Sequence, residues 1–210
     1  MSKLLKQLKE KKVTLIVELP ENDLALAQAA IEAGADALIV KDHEKANDIL
    51  KGVEVPVGVD LSKNTKLTEK ELKSYDKFDF ISFHFEVLPT VAKGIKNGKI
   101  LALNEEYTLD KLIGVEDTGA QAIDAAIVPL SQKNRELMVG DLQNYIAIAI
   151  SSNLPVIVPT QRHIKPSEVA IIVDTGAKGI ILTSATLGES QKSLAEAVRE
   201  FRTAADDLGE

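Results

Sequence analysis

The chain has 210 residues, enough for one large domain or two small ones, with 45% hydrophobic residues to fill a core. Its formal net charge of -7 argues against general nucleic-acid binding, yet leaves room for a local positive pocket. It has no cysteine, which excludes disulfides, thiolate catalysis and cysteine–metal sites.

The opening segment MSKLLKQLKEKK is basic and amphipathic, without the continuous apolar stretch of a signal peptide. Leu4, Leu5 and Leu8 share one face of a short helix expected at about 3–10, suited to covering the bottom of a barrel or packing on its outer layer. The longest nearly apolar run, 145–150, is far too short to span a bilayer. A cytoplasmic protein is expected.

Strand 1 is predicted over 13–19, and Asp23 suits the cap of a helix running to residue 33. Strand 2 follows over 37–41, then a helix at 43–51 capped by Asp42. Strand 3 covers 55–60. Thr68 and Glu71 have the spacing of a capping box for a helix at 69–75. Strand 4 covers 80–85, and a brief helix at 89–95 ends before Asn97-Gly98. Strand 5 covers 100–104, followed by a helix from Thr108 to about 117. Strand 6 covers 123–128. A long connection then leads to a helix at 142–151 capped by Asp141. Strand 7 covers 156–159, and Pro166 opens a helix reaching Asp174. Strand 8 covers 179–182, and the last helix starts at Ser190 or Ser193 and ends by Leu208.

Strands and helices alternate strictly. Most strand runs lack polar alternation, as strands buried on both faces do. Three stretches repeat one pattern of helix end, Gly-Ala, apolar run and polar stop: EAGADALIVKD, EDTGAQAIDAAIVPLS and VDTGAKGIILTSATLGES. The count predicts a single (β/α)8 TIM barrel over 1–210. An open doubly wound sheet is the rival, but the chain has neither a Gly-x-Gly-x-x-Gly fingerprint nor a Walker sequence.

In such a barrel the C-terminal ends of the strands share one face. Those ends offer Glu18, Lys41, Asp60, His84 and Asn104, then Lys133 on the long connection, Arg162 after strand 7, and Ser184 and Ala185 after strand 8. Side chains two apart share a strand face, so Glu18 lies above Ile16, Lys41 above Ile39, Asp60 above Gly58, His84 above Ser82 and Asn104 above Ala102. Thr14, Asp79, Lys99 and Asp124 are read as the opposite ends. Each tip also has a structural reading: a Glu18–Lys41 ion pair between neighbouring strands, Asp60 or Asn104 capping a loop, His84 as a core histidine, Lys133 and Arg162 as solvated surface.

The chemical reading makes Glu18, Asp60 and His84 proton carriers and lets Asn104 orient a hydroxyl. Lys41 either stabilises a developing enolate as an ammonium or forms a Schiff base as a neutral amine; a carboxylate as close as Glu18 favours the ammonium. Loops after strands 7 and 8 often bind phosphate, which Ser184, Ala185, Arg162 and Lys133 suit. No cofactor is expected. Glu18, Asp60 and Glu105 are the oxygen ligands on offer to Mg²⁺, while the histidines have no paired ligand spacing.

The Gly-Ala units and the run AKGIILTSA at 177–185 resemble the ribulose-phosphate-binding group of barrels, which includes small epimerases, decarboxylases, aldolases and enzymes of tryptophan, histidine and thiamine synthesis. In that group the strand 8 loop reads hydrophobic-Gly-Ser-Ala; here Thr183 stands in the glycine place. The strand 7 loop supplies a glycine amide in the group; here it reads Pro159-Thr160-Gln161-Arg162. Strand 3 carries Asp60 without an Asp-x-Lys pair. The resemblance implies an enzyme of isomerase, epimerase or lyase type acting on a small phosphorylated carbonyl or sugar compound. The alternative is a non-catalytic small-anion-binding or scaffold protein on the same fold. The expected partner is a small phosphorylated metabolite, with no nucleic acid or membrane; a homo-oligomer is compatible with the apolar helices near 145–150 and 169–173.

Overall fold

The computed structural model describes residues 2–41, 46–64, 66–188 and 190–209. Eight parallel strands close on themselves in sequence order: β1 (Thr14–Glu18), β2 (Ala37–Val40), β3 (Val57–Asp60), β4 (Phe80–His84), β5 (Gly98–Ala102), β6 (Ala122–Asp124), β7 (Val156–Pro159) and β8 (Ala177–Leu182). Ring closure is direct: Ile16 of β1 is in register with Ala37 of β2 on one side and Ile181 of β8 on the other. The expected (β/α)8 barrel is therefore formed, and the open sheet is not.

The helices are α1 (Lys3–Glu10), α2 (Leu24–Glu32), α3 (Asn47–Gly52), α4 (Glu69–Leu72), α5 (Pro89–Gly94), α6 (Val139–Ser151), α7 (Val169–Asp174), α8 (Ser184–Leu187) and α9 (Gln191–Asp206). Their starts follow local chemistry. Asp23 accepts from the Leu26 amide at 2.9 Å, Thr68 and Glu71 form the reciprocal capping box, and Ser190 caps α9. The expected cap Asp42 lies outside the described residues. Gly34 and Gly176 end their helices at φ of 109° and 97°, the left-handed region that favours glycine in this repeated turn.

The apolar residues divide into two cores. One lies between the strands and the surrounding helices. The other fills the barrel: Ile16, Ala37, Ile39, Phe80, Ile100, Ala122, Ile157 and Ile181, closed below by Leu4, Leu5 and Leu8 of α1. α1 is thus the barrel's stopper. Asp79 holds it there, accepting from the Ser2 hydroxyl at 2.6 Å and from the Lys3 and Leu4 amides at 2.8 and 3.0 Å. That uses a polar residue at the lower end of a strand for structure, as Asp36 does by accepting from the Leu15 amide, Lys11 and Arg202.

Gly58 is required by its neighbour. A Cβ there would lie 2.2 Å from the ring of Phe80, which is fully buried. Gly58→Ala is expected to lower stability by ~1–3 kcal/mol through overpacking, and Gly58→Val by more, measured by urea denaturation.

Three local features depart from the periodicity. The helix expected from Thr108 to 117 is two short 3₁₀ segments, Leu109–Leu112 and Val115–Thr118, separated by Gly114 at φ 69°. α6 begins at Val139, so Asp141 sits inside its first turn and accepts from the Met138 amide at 2.9 Å. β6 stops at Asp124 instead of 128. The Ala125 amide still reaches Ile157 O at 2.9 Å, but the Ile127 amide folds back on Ala125 O at 2.8 Å, and the chain leaves the sheet. An apolar run does not mark where its ladder of hydrogen bonds ends, because buried loop and buried strand have the same composition.

Candidate active site at the barrel mouth

The C-terminal mouth holds a cavity of about 520 Å³. Glu18, Lys41, Asp60, Lys133, Ser184 and Ala185 all line it, so the fold gathers six of the nine site residues expected from sequence. Ser62, Lys63, Ser82, Asp124 and Asn134 join them. A larger hollow of about 810 Å³ lies at the opposite end, around Lys11, Asp36 and Arg202. There the cations are engaged by the protein: Lys11 and Arg202 both pair with Asp36, Arg202 also with Asp206, and Lys12 donates to the Leu208 carbonyl. The mouth is chemically different. Among the described residues Lys41, Lys63 and Lys133 make no ion pair.

Glu18 and Lys41 do not form the ion pair that adjacent strands allow; Lys41 acts on Glu18 through space. Burial raises the Glu18 carboxyl above its ordinary value of 4.5; Lys41 opposes this, Asp60 adds to it, and Lys63 and Lys133 oppose it further. Asp60 lines the cavity and also caps its own loop, accepting from the Ser62 amide at 2.9 Å.

Asp124 is the residue missed from sequence, where it was assigned to the lower end of strand 6. The early end of β6 puts it at the mouth instead. It is buried, and its Oδ1 has no hydrogen-bond partner among the described residues. Burial pushes its carboxyl well above the ordinary 3.8, and repulsion from Asp60 and Glu18 pushes it further. A signal was present: Asp124 has the inward phase of Ala122, so a carboxylate was aimed into an apolar barrel with no cation in the same strand.

A carboxyl raised in this way holds its proton more tightly folded than unfolded, so stability falls as pH rises from 3.8 through the folded value. Asp124→Asn is therefore expected to stabilise the protein at neutral pH by about 0.5–2 kcal/mol, the gain common when a strained site is relieved. Urea unfolding should show the gain shrinking as pH falls through 3.8, below which the wild-type carboxyl is protonated in both states.

Three expected residues stand elsewhere. His84 does not line the cavity; its Nδ1 accepts from the Glu86 amide at 3.4 Å and its ring meets Phe85 edge-on, with centroids 6.3 Å apart. Asn104 and Glu105 line an adjoining pocket of about 280 Å³ that shares Ala126, Lys133 and Gln161 with the main cavity. Asn104 Oδ1 accepts from the Glu106 amide at 3.1 Å. The Mg²⁺ set of Glu18, Asp60 and Glu105 is thus divided between pockets, and no group of three candidate ligands is close enough to hold a metal ion among the described residues.

Arg162 is buried behind the mouth. Its guanidinium donates to Asp141 Oδ1 at 2.8 Å, Gln132 O at 2.8 Å and Gln132 Oε1 at 3.1 Å. Both terminal nitrogens of its fork are taken by protein, Nε is buried without a partner among the described residues, and the side chain does not line the cavity; it pins the loop that carries Lys133. Asn134, next in that loop, takes a left-handed φ of 62° and donates its amide to Gln161 O at 2.9 Å. Lys165–Glu136 at 2.9 Å ties the loop down again.

At the strand 8 end, Thr160 and Thr183 bind each other. The Thr183 amide donates to Thr160 Oγ1 at 2.9 Å, and Thr183 Oγ1 donates to Thr160 O at 2.9 Å. Thr183 Oγ1 also accepts from the Ala185 amide at 3.3 Å. A threonine in the place where the resembled barrels have glycine thus caps α8 itself and occupies part of the backbone that a phosphate would use.

No protein-family model matches the chain, and no curated protein matches it. Solved structures do. Thiamine phosphate pyrophosphorylase from Pyrococcus furiosus superposes with a TM-score of 0.68 at 16% identity, over 95% of this chain and 98% of that one. Phosphoribosyl anthranilate isomerase from Thermus thermophilus gives 0.71 at 17% identity, over 93% and 99%. A 3-hexulose-6-phosphate synthase gives 0.67 at 16% identity, over 91% and 98%. The chain shares the (β/α)8 barrel fold of these proteins, and at these identities the likeness is one of fold.

Proposed function

We propose that the chain is a cytoplasmic enzyme of isomerase, epimerase or lyase type that acts on a small phosphorylated carbonyl or sugar compound, through removal of a proton beside the carbonyl. The observation that carries this is the charge arrangement of the mouth: three lysines without ion-pair partners among the described residues and three carboxyl groups, one of them buried with an oxygen unpartnered among those residues, around one cavity. Of these groups Glu18 and Asp124 are drawn out of water without a paired cation among the described residues, which is unfavourable for folding, while Lys41, Lys63, Lys133 and Asp60 stay exposed; a ligand with a phosphate and a carbonyl complements both sets. The proteins of like fold named above carry phosphorylated compounds in their names, which supports the same substrate class.

Glu18 is the proton acceptor. Burial brings its affinity for a proton closer to that needed for general-base work while leaving it able to ionise. Lys41, on the adjacent strand end, supplies positive charge where an enolate oxygen forms. Burial and the repulsion of Asp60 and Glu18 raise the Asp124 carboxyl, which suits it to return a proton. Ser184, Ala185 and Lys133 border the phosphate end, with Lys63 adding charge.

The test is proton exchange. Incubated in D₂O with a panel of ketose and aldose phosphates, the protein should place deuterium on the carbon next to one substrate's carbonyl, read by NMR. A second reading, a non-catalytic anion-binding protein, is favoured by the Thr183 and Ala185 amides already being bonded. Phosphate binding without exchange or turnover of any panel member would decide for it.

A further inference from the structure

The two longest helices of the barrel differ in the charge they carry. Over sixteen residues α9 carries Lys192, Glu196, Arg199, Glu200, Arg202 and Asp206. Over thirteen residues α6 carries one charged side chain, Asp141, and that one is buried against Arg162. In a chain with 27% charged residues, the exposed side of α6 has none.

What it shows instead is apolar. Val139 (73% exposed), Ile146 and Ile150 (80% exposed) recur at i, i+7 and i+11, one face of the helix, and Met138 (60% exposed) extends it at the N-terminal end. The 3₁₀ segment Leu109–Leu112 packs alongside α6 and brings exposed Leu109 and Ile113 (78% exposed) next to it. The two elements are tied again where Asn153 Nδ2 donates to Glu116 Oε1 at 3.2 Å. Six exposed large apolar side chains at roughly 100 Å² each make a strip of about 600 Å², at the top of the range for a monomer. With its polar rim, the strip approaches the ~800 Å² per partner of a standard interface.

We propose that this strip joins two copies of the chain in an isologous dimer, α6 lying against α6 across a two-fold axis. Charge selects that occupant. Each chain carries a formal net charge of -7, and the exposed side of α6 brings two copies together without opposing like charges. A strongly acidic or basic partner finds no exposed charge on α6 to pair with, and only one residue of each sign, Asp110 and Lys111, on the flanking segment. An uncharged apolar centre with Gln143 and Asn144 among it has the composition of an interface core and is self-complementary by symmetry. The dimer does not depend on the enzymatic proposal, although it buries Met138 and Val139, where the loop bearing Lys133 and Asn134 joins α6.

Sedimentation velocity over a dilution series tests it. Wild type is expected at twice the 22.7 kDa chain mass, and Ile146→Glu/Ile150→Glu at the mass of one chain with an unchanged circular dichroism spectrum. Should the double variant unfold, Ile113→Lys, outside any α-helix, must produce the same halving. Glu200→Lys on α9 must leave the mass unchanged. A single-chain mass for wild type at every concentration, or an assembly whose mass neither variant lowers, overturns the proposal.

Discussion

Lys41→Ala is expected to lower kcat by about 10²–10³-fold on the substrate that exchanges in D₂O, the usual loss when one preorganised group that stabilises transition-state charge is removed. Lys41 is exposed at the strand end and makes no ion pair among the described residues, so the far-UV spectrum and the urea midpoint should stay within the small range of surface substitutions. The same change has a second signature. Lys41 is the largest influence opposing the burial that raises Glu18, so its removal raises the Glu18 carboxyl further. If Glu18 acts ionised, the acid limb of the kcat/KM profile lies above 4.5 in wild type and moves to higher pH in the variant. An unmoved limb with an unchanged rate would remove Lys41 and Glu18 from the chemistry together.

Arg162→Met should be the most destabilising single substitution of a polar residue, by about 3–5 kcal/mol, because it leaves the Asp141 carboxylate buried without its cation. The double variant Arg162→Met/Asp141→Leu should recover most of that loss, since replacing both partners of a buried pair by apolar groups is often near neutral. Urea unfolding of the two singles and the double gives the coupling directly. Activity should not recover in parallel. Arg162 donates twice to Gln132, the neighbour of Lys133, and Asp141 accepts from the Met138 amide at the other end of the same loop. A stable double variant with an unanchored Lys133 is expected to show a raised KM with kcat less affected.

Much of the architecture was legible because it depends on local rules. Asp23, the Thr68–Glu71 pair and Ser190 set helix starts from short-range hydrogen bonds, and glycine at 34 and 176 admits the backbone angle that ends a helix. Strict alternation of buried strands and amphipathic helices leaves few ways to cover a parallel sheet, and ring closure is one of them. The gathering of Glu18, Lys41, Asp60, Lys133, Ser184 and Ala185 at one mouth followed from that closure.

What pattern could not supply were the points decided between distant segments. Whether Asp124 stands at the bottom or the top of its strand depends on Ile127 folding back to Ala125 rather than continuing along β7. Whether Arg162 meets solvent, substrate or protein depends on Asp141 and Gln132 arriving from another loop. A sequence displays which side chains carry charge and how they are phased; burial and partnership are properties of three-dimensional neighbours, and those alone determine which charges remain free to act.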